Sequence, residues 1–145
     1  MARSLGLVIG DREEGMELAQ EAFARAWTRW DRYATIDHAR NSVMRIGINL
    51  ARSEGRRQRH LTYEAASERA NDEIDIPTRL AIVEALRTLS ERQRICVVLT
   101  DYLGMDSGEV ARVLRIPAGS VRTHVARGRK RLRMLLDEES QETNR

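Results

Sequence analysis

Apolar residues recur every three or four positions in two stretches of the chain, residues 12–60 and 78–136. This period is typical of amphipathic helices. The intervening residues 61–77 are polar and acidic, lack the period and end at a proline, which is typical of a linker. The pattern predicts an all-α fold of two small helical domains, residues 1–60 and 78–136, joined by a flexible linker and followed by a polar tail at residues 137–145.

The first stretch predicts two helices separated by a turn at residues 33–38. One face of the first helix is apolar and is expected to be buried. It contains Ala19, Phe23, Ala26, Trp27 and Trp30. We expect the two tryptophans to pack in a core or an interface rather than to stack on bases. A polar face of the same helix contains Glu17, Gln20, Glu21 and Thr28.

The second helix combines a buried stripe with a polar face rich in arginine. The stripe has the spacing i, i+3, i+4, i+7 and contains Val43, Ile46, Gly47 and Leu50. The polar face contains Arg45, Asn49, Arg52, Arg56 and Arg59. Gly55 favours an early end to this helix, which would leave the last arginines on a flexible tail. By itself, this arginine face fits a solvated surface as well as it fits a nucleic-acid contact.

The second stretch carries signals for helix starts. Ser90 and Gln93 have the spacing of a capping box, and Asp106 and Glu109 have the same spacing. Pro117 suits the first turn of a further helix. The apolar positions expected to be buried before it are Ile82, Ala85, Leu86, Leu89, Ile95, Val98, Leu99, Tyr102, Val110, Val113 and Leu114. A short helix, a tight turn and a longer basic helix together predict a helix-turn-helix.

The longer basic helix, residues 119–133, separates its apolar and cationic positions. The inner side contains Val121, Val125, Gly128, Leu132 and Leu135. The outer side contains Gly119, Arg122, Thr123, Ala126, Arg127, Lys130 and Arg133. A solvated helix usually interleaves acids with its bases, and residues 122–133 contain no acid. As the second helix of a helix-turn-helix, this face is interpreted as a DNA-binding surface.

Composition narrows the functional classes further. The net charge is only +3, but basic residues cluster at 52–59 and 122–133, whereas acidic residues cluster at 64–75 and 137–142. With 4% aromatic residues and two prolines, an all-β fold is not expected. Sequence motifs for a phosphate loop, a catalytic nucleophile or a metal site are missing, so we expect no cofactor, no metal and no enzymatic activity.

Cys96 is the only cysteine, which excludes an internal disulfide, and its neighbours predict a small core residue. No stretch reaches the roughly 20 apolar residues that span a bilayer. The apolar run at the N-terminus is too short for a signal peptide. These features predict a cytoplasmic protein without membrane insertion.

Three motifs resemble a known family when taken in order. They are GDREEGMELAQEAFARAW at residues 10–27, RIGINLARSEGRR at 45–57 and LSERQRICVVLTDYLGMDSGEVARVLRIPAGSVRTHVARGRKRL at 89–132. This set resembles bacterial sigma factors of the extracytoplasmic-function group, the small two-domain type. The resemblance implies that residues 1–60 form sigma region 2 and residues 78–136 form sigma region 4. It also implies three partners: core RNA polymerase, promoter DNA and an inhibitory anti-sigma protein.

The resemblance also assigns residues to surfaces. The core-polymerase motif of region 2 falls on Glu17, Gln20 and Glu21. The loop at residues 33–38 would capture a flipped base of the −10 element. The other residues implied at this element are Arg45, Asn49, Arg52 and Arg56. The residues implied at the −35 element are Ser120, Arg122, Thr123, Arg127 and Lys130.

The sequence also departs from the family pattern. Only SLGLVI precedes the first motif where the family has most of another helix. Either the start codon is assigned too late or region 2 is shortened. Ser42 replaces a usual aromatic residue, Ile48 a basic or small one, and His124 an arginine.

Two alternatives therefore stay open at the sequence level. One is a free-standing helix-turn-helix regulator, and the other is a shortened, inactive sigma factor that binds a partner without supporting transcription. A free-standing regulator has no need of the polar face at Glu17, Gln20 and Glu21, so this face favours a sigma factor.

Overall fold

The computed structural model describes residues 1–58 and 76–143, and the side chains of residues 1–55 and 80–135. Within these ranges the chain is helical and contains no strand, which confirms the all-α prediction. The helices are α1 (Ala2–Ile9), α2 (Arg12–Trp27), a 3-10 turn (Trp30–Arg32), α3 (Ile36–Gln58), α4 (Ile76–Arg87), α5 (Glu91–Val97), a π-helical turn (Val98–Tyr102), α6 (Ser107–Leu114) and α7 (Ala118–Thr143). Residues 61–75 of the predicted linker lie outside the described residues.

Helix α1 precedes the first helix that the sequence pattern predicted. Its eight residues are too few for a stable isolated helix, so it depends on tertiary packing. Leu5 is fully buried and Val8 is 5% exposed. A Cβ atom added at Gly15 of α2 would lie 2.3 Å from the backbone nitrogen of Gly6, so these two glycines let the helices touch. Burying a side chain of the size of Leu5 contributes about 1.5–3 kcal/mol.

Helix α2 buries a different face from the one expected. Asp11 caps it by accepting a hydrogen bond from the Glu14 amide at 2.9 Å. The buried residues of α2 are small: Gly15, Ala19, Ala22 and Ala26. The prediction that the large aromatic residues are buried is wrong, because Phe23, Trp27 and Trp30 are 57%, 72% and 46% exposed. The small residues allow close approach of α1 and α3, and the rings lie on the neighbouring face.

Helix α3 is continuous from Ile36 to Gln58, so it begins inside the predicted turn and passes through Gly55 without ending. The Thr35 hydroxyl accepts a hydrogen bond from the His38 amide at 3.1 Å and caps this start. Val43 and Gly47 of the predicted stripe are buried, whereas Ile46 and Leu50 are only partly buried. Three further apolar residues of α3 are buried, Ala39, Ile48 and Ala51, and Ile48 and Ala51 belong to the core shared with the second half of the chain.

Both predicted capping boxes are present in the second half of the chain. The Ser90 hydroxyl accepts from the Gln93 amide, and the Gln93 side chain accepts from the Ser90 amide, both at 3.3 Å. The pair of Asp106 and Glu109 forms the same reciprocal bonds at 2.8 and 2.9 Å. These caps fix the starts of α5 and α6.

Most positions predicted to be buried between α4 and α6 are buried, but Ile82 of α4 is 39% exposed, and Ala85 and Leu114 are only partly buried. The confirmed members are Leu86, Leu89, Ile95, Val98, Leu99, Val110 and Val113, each at most 6% exposed. Tyr102, by contrast, is 47% exposed. It lies at the end of the π-helical turn, where the wider turn changes the helical phase that the sequence pattern assumed.

The two helical parts, α1–α3 and α4–α7, are packed against each other, which the sequence pattern did not predict. Leu5 and Val8 share one core with Leu86, Ile95 and Leu99 of the second part. Helix α1 contacts α4, α5 and the π-helical turn, and α3 contacts α6. We call this arrangement the closed form.

Polar contacts also join the two parts. Arg52 Nε lies 3.5 Å from Glu91 Oε1, and Arg40 Nη2 lies 3.4 Å from Glu109 Oε1. Arg87 Nη2 donates to the Gly10 carbonyl at 3.3 Å. The closed form is therefore held by a shared apolar core and by ion pairs at its edge.

Candidate nucleic-acid interface

Helix α7 is seated on α5 and α6 through a buried inner face. Val121 is fully buried and Val125 is 7% exposed. A Cβ atom added at Gly128 would lie 2.7 Å from Val97 Cγ2, so only glycine allows α7 to approach α5 so closely at this position. The inner face predicted from the helical wheel is thus confirmed for these residues, and Leu132 and Leu135 are partly buried.

The outer face of α7 carries the candidate −35 residues. Arg122, Thr123, Arg127 and Lys130 are exposed, and Ser120 is partly buried in the first turn. The Thr123 hydroxyl donates to the Gly119 carbonyl at 3.0 Å, and an Arg122 nitrogen donates to the Ser107 hydroxyl at 3.5 Å. Within the described part of the chain, Arg127 and Lys130 have no ion-pair partner. Their charges therefore face solvent uncompensated.

The turn between α6 and α7 has defined geometry. Arg115 adopts the left-handed conformation, with φ 55° and ψ 47°, and ends α6. The Pro117 carbonyl then accepts hydrogen bonds from the Ser120 and Val121 amides at 2.9 and 3.2 Å. Pro117 directly precedes α7, one residue before the first helical turn in which the sequence placed it.

Arg129 of α7 is engaged by another part of the protein and, unlike Arg127, is not left free for DNA. Its guanidinium forms two hydrogen bonds to the Asp101 carboxylate, one of them 3.1 Å from Nε to Oδ2. The hydrogen bond and the charge of Asp101 raise the pKa of Arg129 above its ordinary value. This contact ties α7 to the π-helical turn.

The candidate −10 residues of α3 divide between two environments. Arg45 and Asn49 line a cavity of about 460 Å³ between the two parts of the chain. Arg52 is turned toward Glu91, and its buried Nε has no hydrogen-bond partner despite the ion pair. Arg56 follows one turn later on the backbone of α3, and its side chain is outside the described set. Of the residues assigned to the −10 element, the structure therefore brings Arg45 and Asn49 of α3 to the cavity, together with Tyr33 and His38 of the predicted loop at residues 33–38.

Further residues of this cavity were not singled out by sequence reasoning. Arg29 and Arg32 come from the segment before α3, and Arg115 comes from the helix-turn-helix turn. No sequence pattern links positions so far apart, because they meet only through packing of the two parts.

Four aromatic rings are in contact one after another, and the last two line the same cavity. The ring centroids of Trp27 and Trp30 are 5.8 Å apart, those of Trp30 and Tyr33 are 6.1 Å apart, and those of Tyr33 and His38 are 5.4 Å apart. The alanines of α2 could have predicted that these rings are exposed. A face of small residues already fills the contact with α1 and α3, so no room is left there for large rings.

The candidate polymerase-binding residues share one exposed face of α2. Glu17, Gln20 and Glu21 are all exposed. Glu21 accepts a hydrogen bond of 2.6 Å from Arg25 one turn later, and the two side chains are 51% and 57% exposed. Such a surface pair contributes a few tenths of a kcal/mol, so it does not prevent Glu21 from binding a partner.

Cys96 is completely buried, and burial raises the pKa of its thiol from 9.0 to about 11. This agrees with the predicted core role. Among the described residues, no group of three or more His, Cys, Asp or Glu side chains is placed to hold a metal ion. The helices described are also too short or too polar to cross a membrane.

Sequence comparison gives this architecture its relatives. A family model described as sigma-70, region 4 matches residues 79–132. The RNA polymerase sigma-E factor of Streptomyces avermitilis is 30% identical over 142 residues, which cover 94% of this chain and 79% of that protein. The RNA polymerase sigma factor NccH of Alcaligenes xylosoxydans xylosoxydans is 30% identical over 148 residues, covering 93% of this chain and 78% of the relative.

A solved structure shares the fold. The sigma factor RpoE of Bartonella quintana, in complex with the anti-sigma factor NepR, matches with a TM-score of 0.79 and 20% identity. That match covers 94% of this chain and 89% of the other, so it includes both helical parts. Together with the relatives at 30% identity over most of their length, these findings place the chain in a family: it belongs to the bacterial RNA polymerase sigma factors of the extracytoplasmic-function group.

Proposed function

We propose that this sigma factor divides promoter recognition between its two helical parts. Residues 78–136, region 4, would read the −35 element through α7 in the major groove. Residues 1–60, region 2, would bind the −10 element and core polymerase. The observation that carries this proposal is the outer face of α7, where an exposed cationic surface lies on a helix whose opposite side is buried in a helix-turn-helix.

The residues of α7 suit two kinds of contact. Arg122 and Thr123 lie near the helix start, where side chains of a recognition helix reach base edges. Arg127 and Lys130 lie one to two turns later and suit phosphates, as Ser120 does in the first turn. A bidentate arginine contact to a guanine discriminates against other bases by about 1–3 kcal/mol. Specificity would therefore depend most on Arg122.

The −10 element would bind along α3 and the loop before it. Asn49 can donate to and accept from a base edge, and Arg45, Arg52 and Arg56 can bind phosphates. Tyr33 and His38 offer aromatic surface beside an unstacked base. In the closed form the α6–α7 turn lines one cavity together with Arg45 and Asn49, and Glu91 forms an ion pair with Arg52. Promoter binding therefore requires the two parts to separate.

Core polymerase would be recruited through the polar face of α2, and promoter DNA, which binds the open form, would favour the separation. Glu17, Gln20 and Glu21 are exposed in the closed form, so polymerase can bind there before the parts open. Core polymerase can therefore bind this face of α2 before it has bound a promoter. This order explains how a chain whose −10 residues are partly engaged by its second helical part can still be recruited.

An anti-sigma protein is the other partner that we propose. The structural relative RpoE is bound to the anti-sigma factor NepR. A protein that binds both helical parts would favour the closed form by mass action. The relatives are sigma factors, which are regulatory rather than catalytic. We propose accordingly that the chain acts in the cytoplasm, has no enzymatic activity of its own and requires no cofactor.

Promoter-dependent run-off transcription with purified core polymerase tests this division. We expect specific transcripts with the unaltered chain and none with Glu17→Lys or Arg127→Ala. Glu13→Lys and Arg131→Ala are the matched controls, because both residues are exposed on the same helices but outside the proposed surfaces.

Two results would contradict the proposal. If the controls lose transcription as completely as the test variants, the loss is caused by the change in net charge and not by damage to the proposed surfaces. If the chain binds duplex DNA tightly without polymerase and directs no transcription, it acts as a free-standing helix-turn-helix regulator.

A further inference from the structure

The cavity between the two helical parts is lined by four arginines. Arg29 and Arg32 come from the region before α3, Arg45 comes from α3, and Arg115 comes from the α6–α7 turn. None of the residues that line the cavity is an aspartate or a glutamate. Its volume, about 460 Å³, lies within the range of pockets that hold small ligands.

The cavity arginines of the first part differ from three other arginines of that part. Arg25, Arg40 and Arg52 each form an ion pair with a glutamate. In the described part of the chain, the four cavity arginines form none. Closing the two parts brings Arg115 to the other three, so the closed form concentrates like charge that no aspartate or glutamate of the lining offsets.

A ligand with several negative charges would offset this concentration. Guanidinium groups bind phosphate oxygens in a bidentate geometry, and such charge-assisted hydrogen bonds are among the strongest in proteins. Each additional phosphate increases the number of arginines that can bind at once. The arrangement therefore fits a polyphosphate better than a single carboxylate.

The remaining lining residues add features that suit a nucleobase. Tyr33 and His38 lie at one side, with their ring planes at 72° and their centroids 5.4 Å apart. The amide of Asn49 lies in the same lining and can both donate and accept a hydrogen bond. Aromatic surface beside an amide is the combination that recognises a base.

We propose that this cavity binds a free nucleoside di- or triphosphate, and that the bound nucleotide stabilises the closed form. Arg115 belongs to the second part and Arg29 and Arg32 to the first, so the complete site exists only while the parts are together. A ligand that binds only one conformation shifts the population toward it. The nucleotide would thus oppose exposure of the −10 surface, a consequence that rests on the proposed function above.

Phosphates of a single DNA strand present the same chemistry. In the closed form, however, Val113, Leu114 and Arg115 line part of the cavity, whereas the strand is proposed to bind the open form, in which these residues have moved away. Arg115 distinguishes a free nucleotide from a DNA strand, because Arg115 is not among the residues proposed for promoter contact. A strand bound along α3 in the open form has no need of Arg115.

Isothermal titration of the full chain is the primary test. The probes are ATP, GTP and inorganic pyrophosphate, with adenosine as the ligand that lacks phosphate. The test variant is Arg115→Asn, since asparagine tolerates the left-handed conformation of Arg115 and the fold is kept. The matched control is Arg112→Gln, which removes an exposed arginine of α6 outside the cavity.

We expect saturable binding of one nucleotide per chain, no binding of adenosine and weaker binding of pyrophosphate. Arg115→Asn should weaken nucleotide binding about tenfold or more, and Arg112→Gln should leave it unchanged. Equal affinity of Arg115→Asn and the unaltered chain would overturn the proposal. So would the absence of saturable binding for all three phosphate probes.

A single-stranded oligonucleotide forms the last arm. If it binds both the unaltered chain and Arg115→Asn while free nucleotides bind neither, the cavity belongs to the promoter surface and the proposal fails. Promoter binding by the reconstituted holoenzyme, measured by mobility shift without nucleotides, is read separately. Its loss would count against the sigma function and not against the nucleotide site.

Discussion

Arg52 on α3 and Glu91 in the first turn of α5 form an ion pair across the two helical parts, with 3.5 Å between Nε and Oε1. Both side chains are less than one third exposed, at 30% and 28%. A residue proposed for promoter contact is thus held by a carboxylate of the domain that must move away. Opening of the closed form and release of Arg52 are therefore one event.

Glu91→Gln should favour the open form. The substitution removes the charge that compensates Arg52, whose Nε is buried without a hydrogen-bond partner, so separation restores its hydration. We expect a larger mean distance between the two parts, measured by energy transfer between dyes on α2 and α7. Glu84→Gln, an exposed change on α4, serves as control. An unchanged distance in Glu91→Gln would show that the apolar core alone holds the closed form.

Gly128→Ala should destabilise the chain by about 1–3 kcal/mol, because the new methyl group would overlap Val97 in a packed contact. The free energy of unfolding, measured in urea, checks this value. Gly119→Ala on the same helix is the matched control, since the nearest atom to its added Cβ is a flexible arginine nitrogen 3.8 Å away. The control should be neutral or slightly stabilising, because alanine favours a helix over glycine by about 1 kcal/mol.

Arg127→Ala should reduce the salt dependence of promoter binding by the holoenzyme. Each phosphate contact contributes about 0.9 to the slope of log K against log salt concentration, so losing one lowers the slope by about that amount. Arg129→Ala should leave the slope nearly unchanged, because Asp101 already compensates Arg129. Fluorescence anisotropy over a range of salt concentrations measures both slopes. Equal reductions would mean that Arg129 leaves Asp101 to bind DNA.

Cys96 should be unreactive toward thiol reagents in the folded chain near neutral pH and reactive in urea. Burial disfavours the thiolate and raises the pKa from 9.0 to about 11. The raised value favours folding below pH 9.0, and this contribution is lost as the pH rises from 9.0 toward 11. Rates of thiol labelling and unfolding midpoints across this pH range check both statements. Fast labelling of the folded chain at pH 7 would contradict the buried position.

Local signals in the sequence predicted local structure well. The capping boxes at Ser90 and Asp106 depend on residues three positions apart, so the sequence contains all the information that they need. The inner and outer faces of α7 were predictable for the same reason, because one helical period determines both. The separation of Arg127 from Val125 required no knowledge of the rest of the fold.

Features that depend on distant packing were not predictable. Helix α1 is too short to be identified by period, and Leu5 is buried only because helices from both parts of the chain surround it. Trp27 looked like a core residue by its hydrophobicity, but alanines fill the contact on α2. The cavity needs Arg115 and Arg45 together, which is a property of the closed form and of no single segment.

The continuity of α3 through Gly55 has a consequence for promoter geometry. Arg45 and Arg56 lie on one unbroken rod and are about 16 Å apart along its axis, at a rise of 1.5 Å per residue. A flexible tail would let the last arginine follow whichever phosphate is near. A rigid helix instead fixes the distance between its contacts, so the spacing of the strand that it accepts is determined before DNA arrives.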